Sequence, residues 1–137
     1  MASIRQEIRI DAPPERVWDA VRDVGAVHRR LVPVYTADTR MEGHERILIL
    51  SNGDTVRESI VDIDDQSRRM AYAVKESRTP LMHHHASFQV LDGSDGGSLL
   101  VWITDFLPDE LAPEIRLRVR RGASIMKETI EAAERTA

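Results

Sequence analysis

The chain has no cysteine. Disulfides, thiolate metal sites and cysteine nucleophiles are therefore excluded. Large rings are scarce, with two Phe, two Trp and two Tyr in 137 residues. A core with so few aromatics is filled by Val, Ile, Leu, Met and Ala, or is left partly hollow. No apolar run approaches the roughly 20 residues of a membrane span. Met1-Ala2-Ser3-Ile4-Arg5 holds no apolar segment of the kind found in a secretory signal. A cytoplasmic protein is the default expectation. A surplus of positive charge is also missing. The 19 basic and 23 acidic residues give a net charge of -4, which argues against a nucleic-acid or anionic-membrane partner. No nucleophile elbow, phosphate loop or dinucleotide fingerprint occurs, and no cofactor is expected.

What is present reads as one domain spanning residues 1–137, large enough for a single core. Ile4, Ile8 and Ile10 alternate with Arg5, Glu7 and Arg9, the pattern of a half-buried strand. Asp11-Ala12-Pro13-Pro14 ends it. Pro14 suits a first helical position, and Glu15 suits the positive end of the helix dipole. Val17, Trp18, Val21 and Val24 follow at helical spacing. Gly25 breaks this helix, and a second short one is expected over 26–31, stopped by Pro33. Five strands are expected near 34–41, 45–51, 54–64, 69–76 and 82–91, separated by turn residues such as Asn52-Gly53-Asp54. A glycine-rich hairpin loop at 92–97 leads to a last strand at 98–106. Pro113 marks the start of a long helix. Leu111, Ile115, Val119, Gly122, Met126, Ile130 and Ala133 form its apolar stripe. Such a stripe must be buried, and only the sheet is long enough to cover it. The fold class is α+β: a curved antiparallel sheet wrapped around a long C-terminal helix, with two short helices after the first strand.

Four local patterns share a resemblance. They are Ala12-Pro13-Pro14-Glu15-Arg16-Val17-Trp18, Asn52-Gly53-Asp54-Thr55-Val56-Arg57-Glu58, Arg69-Met70-Ala71-Tyr72-Ala73-Val74, and Val101-Trp102. In this order they resemble the START-like (SRPBCC) superfamily, the Bet v 1-like, polyketide cyclase/dehydrase and lipid transport proteins with the helix-grip fold. The resemblance implies a deep pocket between the concave sheet face and the long helix. Relatives use such a pocket to carry lipids, to sense small molecules or to cyclise polyketides. Fold alone does not choose among these.

Strand parity assigns the pocket wall. Met82, His84, Ala86, Phe88 and Val90 share one face of their strand, while His83, His85, Ser87 and Gln89 share the other. Folding the next hairpin about residues 94–96 pairs Val90 with Leu100 and Phe88 with Trp102. Leu100, Trp102, Thr104 and Phe106 then point inward, and Asp105 lies beside His85 outside. A one-residue slip would bring Asp105 beside His84 inside. Val56, Glu58 and Ile60 share a parity that Val61 and Ile63 break, so a bulge is expected near 60–61, with Glu58 inward and near Tyr72.

His84 is the best catalytic candidate, since an inward histidine can move protons in an apolar pocket. Equally, it can be a core histidine bonded to Thr104 or Tyr72. Glu58 can meet a ligand hydroxyl, or can be a structural acid bonded to Tyr72 or an arginine. His83, His85 and Asp105 make a surface polar cluster without a cleft, and no metal site is expected. Arg116, Arg118, Arg120 and Arg121 read as a solvated helix face. The expected ligand-binding set is Glu58, Tyr72, Met82, His84, Phe88, Trp102, Thr104, Ile115, Val119 and Met126. The expected function is to bind or carry a hydrophobic small molecule, as a monomer or homodimer. The alternatives are a polyketide aromatase/cyclase or dehydratase using the same cavity, and an interaction module whose cavity is vestigial.

Overall fold

A computed structural model describes residues 1–136. Its elements are β1 (Ala2–Ile10), α1 (Pro14–Arg22), α2 (Val27–Arg30), β2 (Thr36–Glu42), β3 (Glu45–Leu50), β4 (Thr55–Asp64), β5 (Arg69–Glu76), β6 (His83–Asp92), β7 (Ser98–Leu107) and α3 (Ala112–Arg135). The strands form one seven-stranded antiparallel sheet in the order β1-β7-β6-β5-β4-β3-β2. Six consecutive strands make a meander, and β1 closes it along β7. Because β1 and β2 are the two edges, α1 and α2 carry the chain from one edge to the other.

Local chemistry explains the elements. Pro13 precedes α1 with an extended backbone and Pro14 occupies its first turn. Burial falls on Val17, Trp18, Ala20 and Val21. The helix stops at Arg22, with Asp23 outside helical space, so Val24 lies beyond it despite its spacing. The Trp18 indole N–H donates to Asp65 at 2.9 Å, and Arg22 pairs with the same carboxylate at 2.7 Å. These bonds fasten α1 to the turn between β4 and β5.

The register follows the hydrophobic pattern. Val90 faces Leu100, Phe88 faces Trp102, and His85 faces Asp105, so the alternative slip does not occur. The β4–β5 pairing shifts between Ile60 and Asp62, a bulge at the expected place, but Val61 and Ile63 beyond it stay exposed. A further shift lies between β2 residues Thr36 and Asp38. Such irregularities bend strands and help the sheet curl around α3.

The helix buries Ile115, Val119, Ala123, Met126 and Ile130. Its N-terminal half meets Ile4 and Phe106, and its C-terminal half joins a larger core with Ile8, Val17, Leu100 and Phe88. Lys127 reaches the Arg9 carbonyl at 2.7 Å, and Glu131 accepts from the Asp11 backbone N–H at 2.8 Å. These bonds hold the C-terminal half against the end of β1. Among the described residues no helix is long and apolar enough to cross a membrane.

Candidate functional site: an internal cavity

Toward the other end of α3 the helix and sheet part around a cavity of about 570 Å³. That lies in the range of small-molecule sites. Most of its wall comes from alternate residues of five strands: Arg46, Leu48 and Leu50 on β3, Val56 and Glu58 on β4, Tyr72 and Val74 on β5, His84 and Phe88 on β6, and Trp102 and Thr104 on β7. Ile115, Val119, Gly122 and Met126 of α3 form the roof, and Val27 of α2 and Leu31 just after it close one side. Except for Trp18 and Phe106, every aromatic residue of the chain lines this space. The sparse rings are concentrated where the core is hollow.

Three of them form a floor. Tyr72 and Phe88 stack with centroids 6.0 Å apart, and Phe88 and Trp102 with centroids 4.9 Å apart. The Trp102 indole N–H donates to the Tyr72 oxygen at 3.2 Å. Burial, reinforced by the Glu58 charge, raises the Tyr72 pKa and keeps the phenol protonated.

His84 stands at the edge of this floor, its ring 5.7 Å from that of Tyr72. The Val74 backbone N–H donates to Nδ1 at 3.1 Å, and Nε2 lies 3.2 Å from the Thr104 hydroxyl. Nδ1 is therefore an acceptor, and the ring proton sits on Nε2. Burial first, then neighbouring His85 and His83, lowers the His84 pKa to about 4 against a small opposing effect of Asp105. The imidazole is neutral at pH 7, with both nitrogens occupied.

Glu58 is buried and joined to Arg46, with Arg46 Nε 2.7 Å from Glu58 Oε1. The guanidinium lies over the Tyr72 ring, 5.1 Å from its centroid, and its Nη1 reaches the Val24 carbonyl at 3.3 Å. Folding the β3–β4 hairpin about Asn52 sets Arg46 opposite Glu58, which makes it the arginine partner of that acid. Several other wall residues lie outside the expected set, Tyr35 and Thr36 among them. Tyr35 and Thr36 precede or open an edge strand, where parity is weakest. Thr36 Oγ1 is the one fully buried side-chain N or O without a partner among the described residues.

Met82 is a correction. It was expected in the wall but is 78% exposed, and it is absent from the cavity lining. The chain bends at Met82, one residue before β6 begins. Alternation applies only inside the ladder, so parity does not reach it. The other expected residues, Glu58, Tyr72, His84, Phe88, Trp102, Thr104, Ile115, Val119 and Met126, all border the cavity. On the rim, Arg118 bonds Thr79 at 2.7 Å and Glu114 at 2.6 Å, joining α3 to the loop before β6.

A long helix laid across a seven-stranded antiparallel sheet, with two short helices after the first strand, defines the Bet v 1-like helix-grip class. The family model described as "Polyketide cyclase / dehydrase and lipid transport" matches residues 1–135, and the chain belongs to that family. No curated protein matches the sequence. Solved structures share the fold. XoxI from Bacillus cereus is 24% identical, with a TM-score of 0.83 over 98% of this chain and 96% of that one. The di-domain aromatase/cyclase BexL of the BE-7585A biosynthetic pathway is 15% identical, with a TM-score of 0.82 over 96% of this chain and 47% of BexL. Norcoclaurine synthase from Thalictrum flavum, in complex with a transition-state analogue, is 14% identical, with a TM-score of 0.74 over 94% of this chain and 93% of that one.

Proposed function

We propose that the protein binds a hydrophobic small molecule, such as a lipid, isoprenoid or polyketide-like aromatic, in this cavity and does not transform it. One observation carries the reading. The cavity is lined by rings and aliphatic groups, and each ionisable group of its inner wall is tied to a protein partner. His84 is held by Val74 and Thr104, Glu58 by Arg46, and Tyr72 by Trp102. A general acid–base catalyst needs a pKa near the working pH and a free bond toward the reacting atom. His84 has neither. Its role in this reading is to brace β5 against β7 beneath the ligand. Burying about 200 Å² of apolar ligand surface supplies roughly 5 kcal/mol before ordering costs, enough for a carrier. The likeness to BexL keeps a cyclase as the competing reading, with Tyr72 and Glu58 acting on an enol.

Native mass spectrometry of gently purified protein tests the proposal. The expected result is a one-to-one adduct with an apolar molecule, recovered unchanged after prolonged incubation. Absence of any adduct, together with no uptake of a neutral environment-sensitive dye, refutes binding. A change in the recovered molecule's mass refutes the non-catalytic part.

A further inference from the structure

Among the described residues the inner wall holds one ion pair with both side chains buried, on β3 and β4. There Arg46 and Glu58 face each other across the ladder, both buried. Their mutual bond uses Nε and Oε1, and Arg46 Nη1 is taken by Val24. Arg46 Nη2 and Glu58 Oε2 have no protein hydrogen bond among the described residues, yet neither is a sealed, unpaired atom. Both residues border the cavity. The pair thus leaves one charged donor edge and one charged acceptor available to whatever fills the space. Its net charge is zero. An anionic head placed on Arg46 would also face the Glu58 carboxylate, and a cationic head would face the guanidinium. A neutral hydroxyl suffers neither repulsion, since it donates to the carboxylate and accepts from the guanidinium at once.

We infer that the ligand is an apolar molecule bearing a neutral hydroxyl (an alcohol, phenol or enol), docked on the Arg46–Glu58 pair, and that anionic lipids such as fatty acids are rejected. This rests on the binding function proposed above and specifies its ligand class. The aromatic floor of Tyr72, Phe88 and Trp102 favours a flat body beside that hydroxyl.

The test uses four probes measured by calorimetry or fluorescence at pH 7. N-phenyl-1-naphthylamine, which is neutral, reports on the cavity itself. Then 2-naphthol, 2-methylnaphthalene and 2-naphthoate compare a hydroxyl, a methyl and a carboxylate on one body. The expected order is naphthol tightest, by about tenfold over methylnaphthalene, the scale of a hydrogen bond to a charged group. Naphthoate binds no better than the hydrocarbon. In Glu58→Gln the arginine charge is no longer cancelled and the charged acceptor for the hydroxyl is gone, so naphthoate gains about tenfold while naphthol weakens several-fold, and naphthoate overtakes naphthol. A purely structural ion pair would not invert the preference. Should that variant fail to fold, the Arg46→Met/Glu58→Met double variant replaces the pair with apolar volume, and the naphthol preference falls to about one. Uptake of N-phenyl-1-naphthylamine without a naphthol preference, or with naphthoate tightest, overturns this inference and leaves the cavity's function standing. No uptake of any probe overturns both.

Discussion

His84 looks reactive in the sequence, and in the fold both of its ring nitrogens are hydrogen-bonded within the protein. Its two hydrogen bonds fix one neutral tautomer, and protonating Nδ1 would break the bond from Val74. The folded pKa of about 4 lies below the ordinary histidine value of 6.5. The unfolded chain therefore takes up the proton first as the pH falls. Above pH 6.5 neither state is charged at this position, and His84 imposes no penalty. Between about pH 6.5 and 4 the folded state loses ground, by roughly 3 kcal/mol at the acid end. His84→Gln keeps an acceptor and a donor without a titrating ring. Urea denaturation at pH 7.5 and pH 4.5 should show a smaller loss of stability for the variant than for the parent. Equal losses in the two proteins would assign the acid sensitivity elsewhere.

At the scale of elements, Gly122 lets the long helix approach the sheet closely at Trp102. A Cβ there would meet Trp102 Cη2 and Cζ3 at 3.2 Å, so the absent side chain lets helix and indole approach. Alanine at this position gains about 1 kcal/mol of helix propensity and forces the indole to shift by a few tenths of an ångström. Gly122→Ala should therefore melt close to the parent and bind a cavity probe several-fold more weakly, with altered tryptophan emission. Unchanged affinity in calorimetry would show that the indole does not shape the site. Both the helix and the strands were legible in the sequence because their patterns are strong. The β6–β7 wall followed from alternation plus one hairpin, and the bulge near Val61 from a break in parity. What escaped lay where periodicity stops. Met82 sits one residue outside a ladder, Val24 two beyond a helix end, and Thr36 at the start of an edge strand. Arg46 escaped for a different reason. Ile47 and Ile49 make the opposite parity of β3 equally apolar, so the face could be chosen only through its partner Glu58.

For the whole molecule, the cavity couples ligand to stability. Any occupant that binds only the folded state adds about 2.7 kcal/mol when present at a hundred times its dissociation constant. In a chain of this length that is a rise in Tm of roughly 10 °C. Differential scanning fluorimetry with 2-naphthol should show such a rise, and its absence at a hundred times the dissociation constant would show that the ligand does not prefer the folded state. The same hollow has a mechanical consequence. Space inside a folded protein disappears when the chain unfolds, so the native state occupies more volume than its denatured counterpart and yields to hydrostatic pressure. The gap between α3 and the sheet makes this protein compressible along the direction that separates them. Filling that gap turns a soft shell into a solid one, and the pressure at which the chain unfolds becomes a gauge of occupancy that needs no knowledge of the occupant.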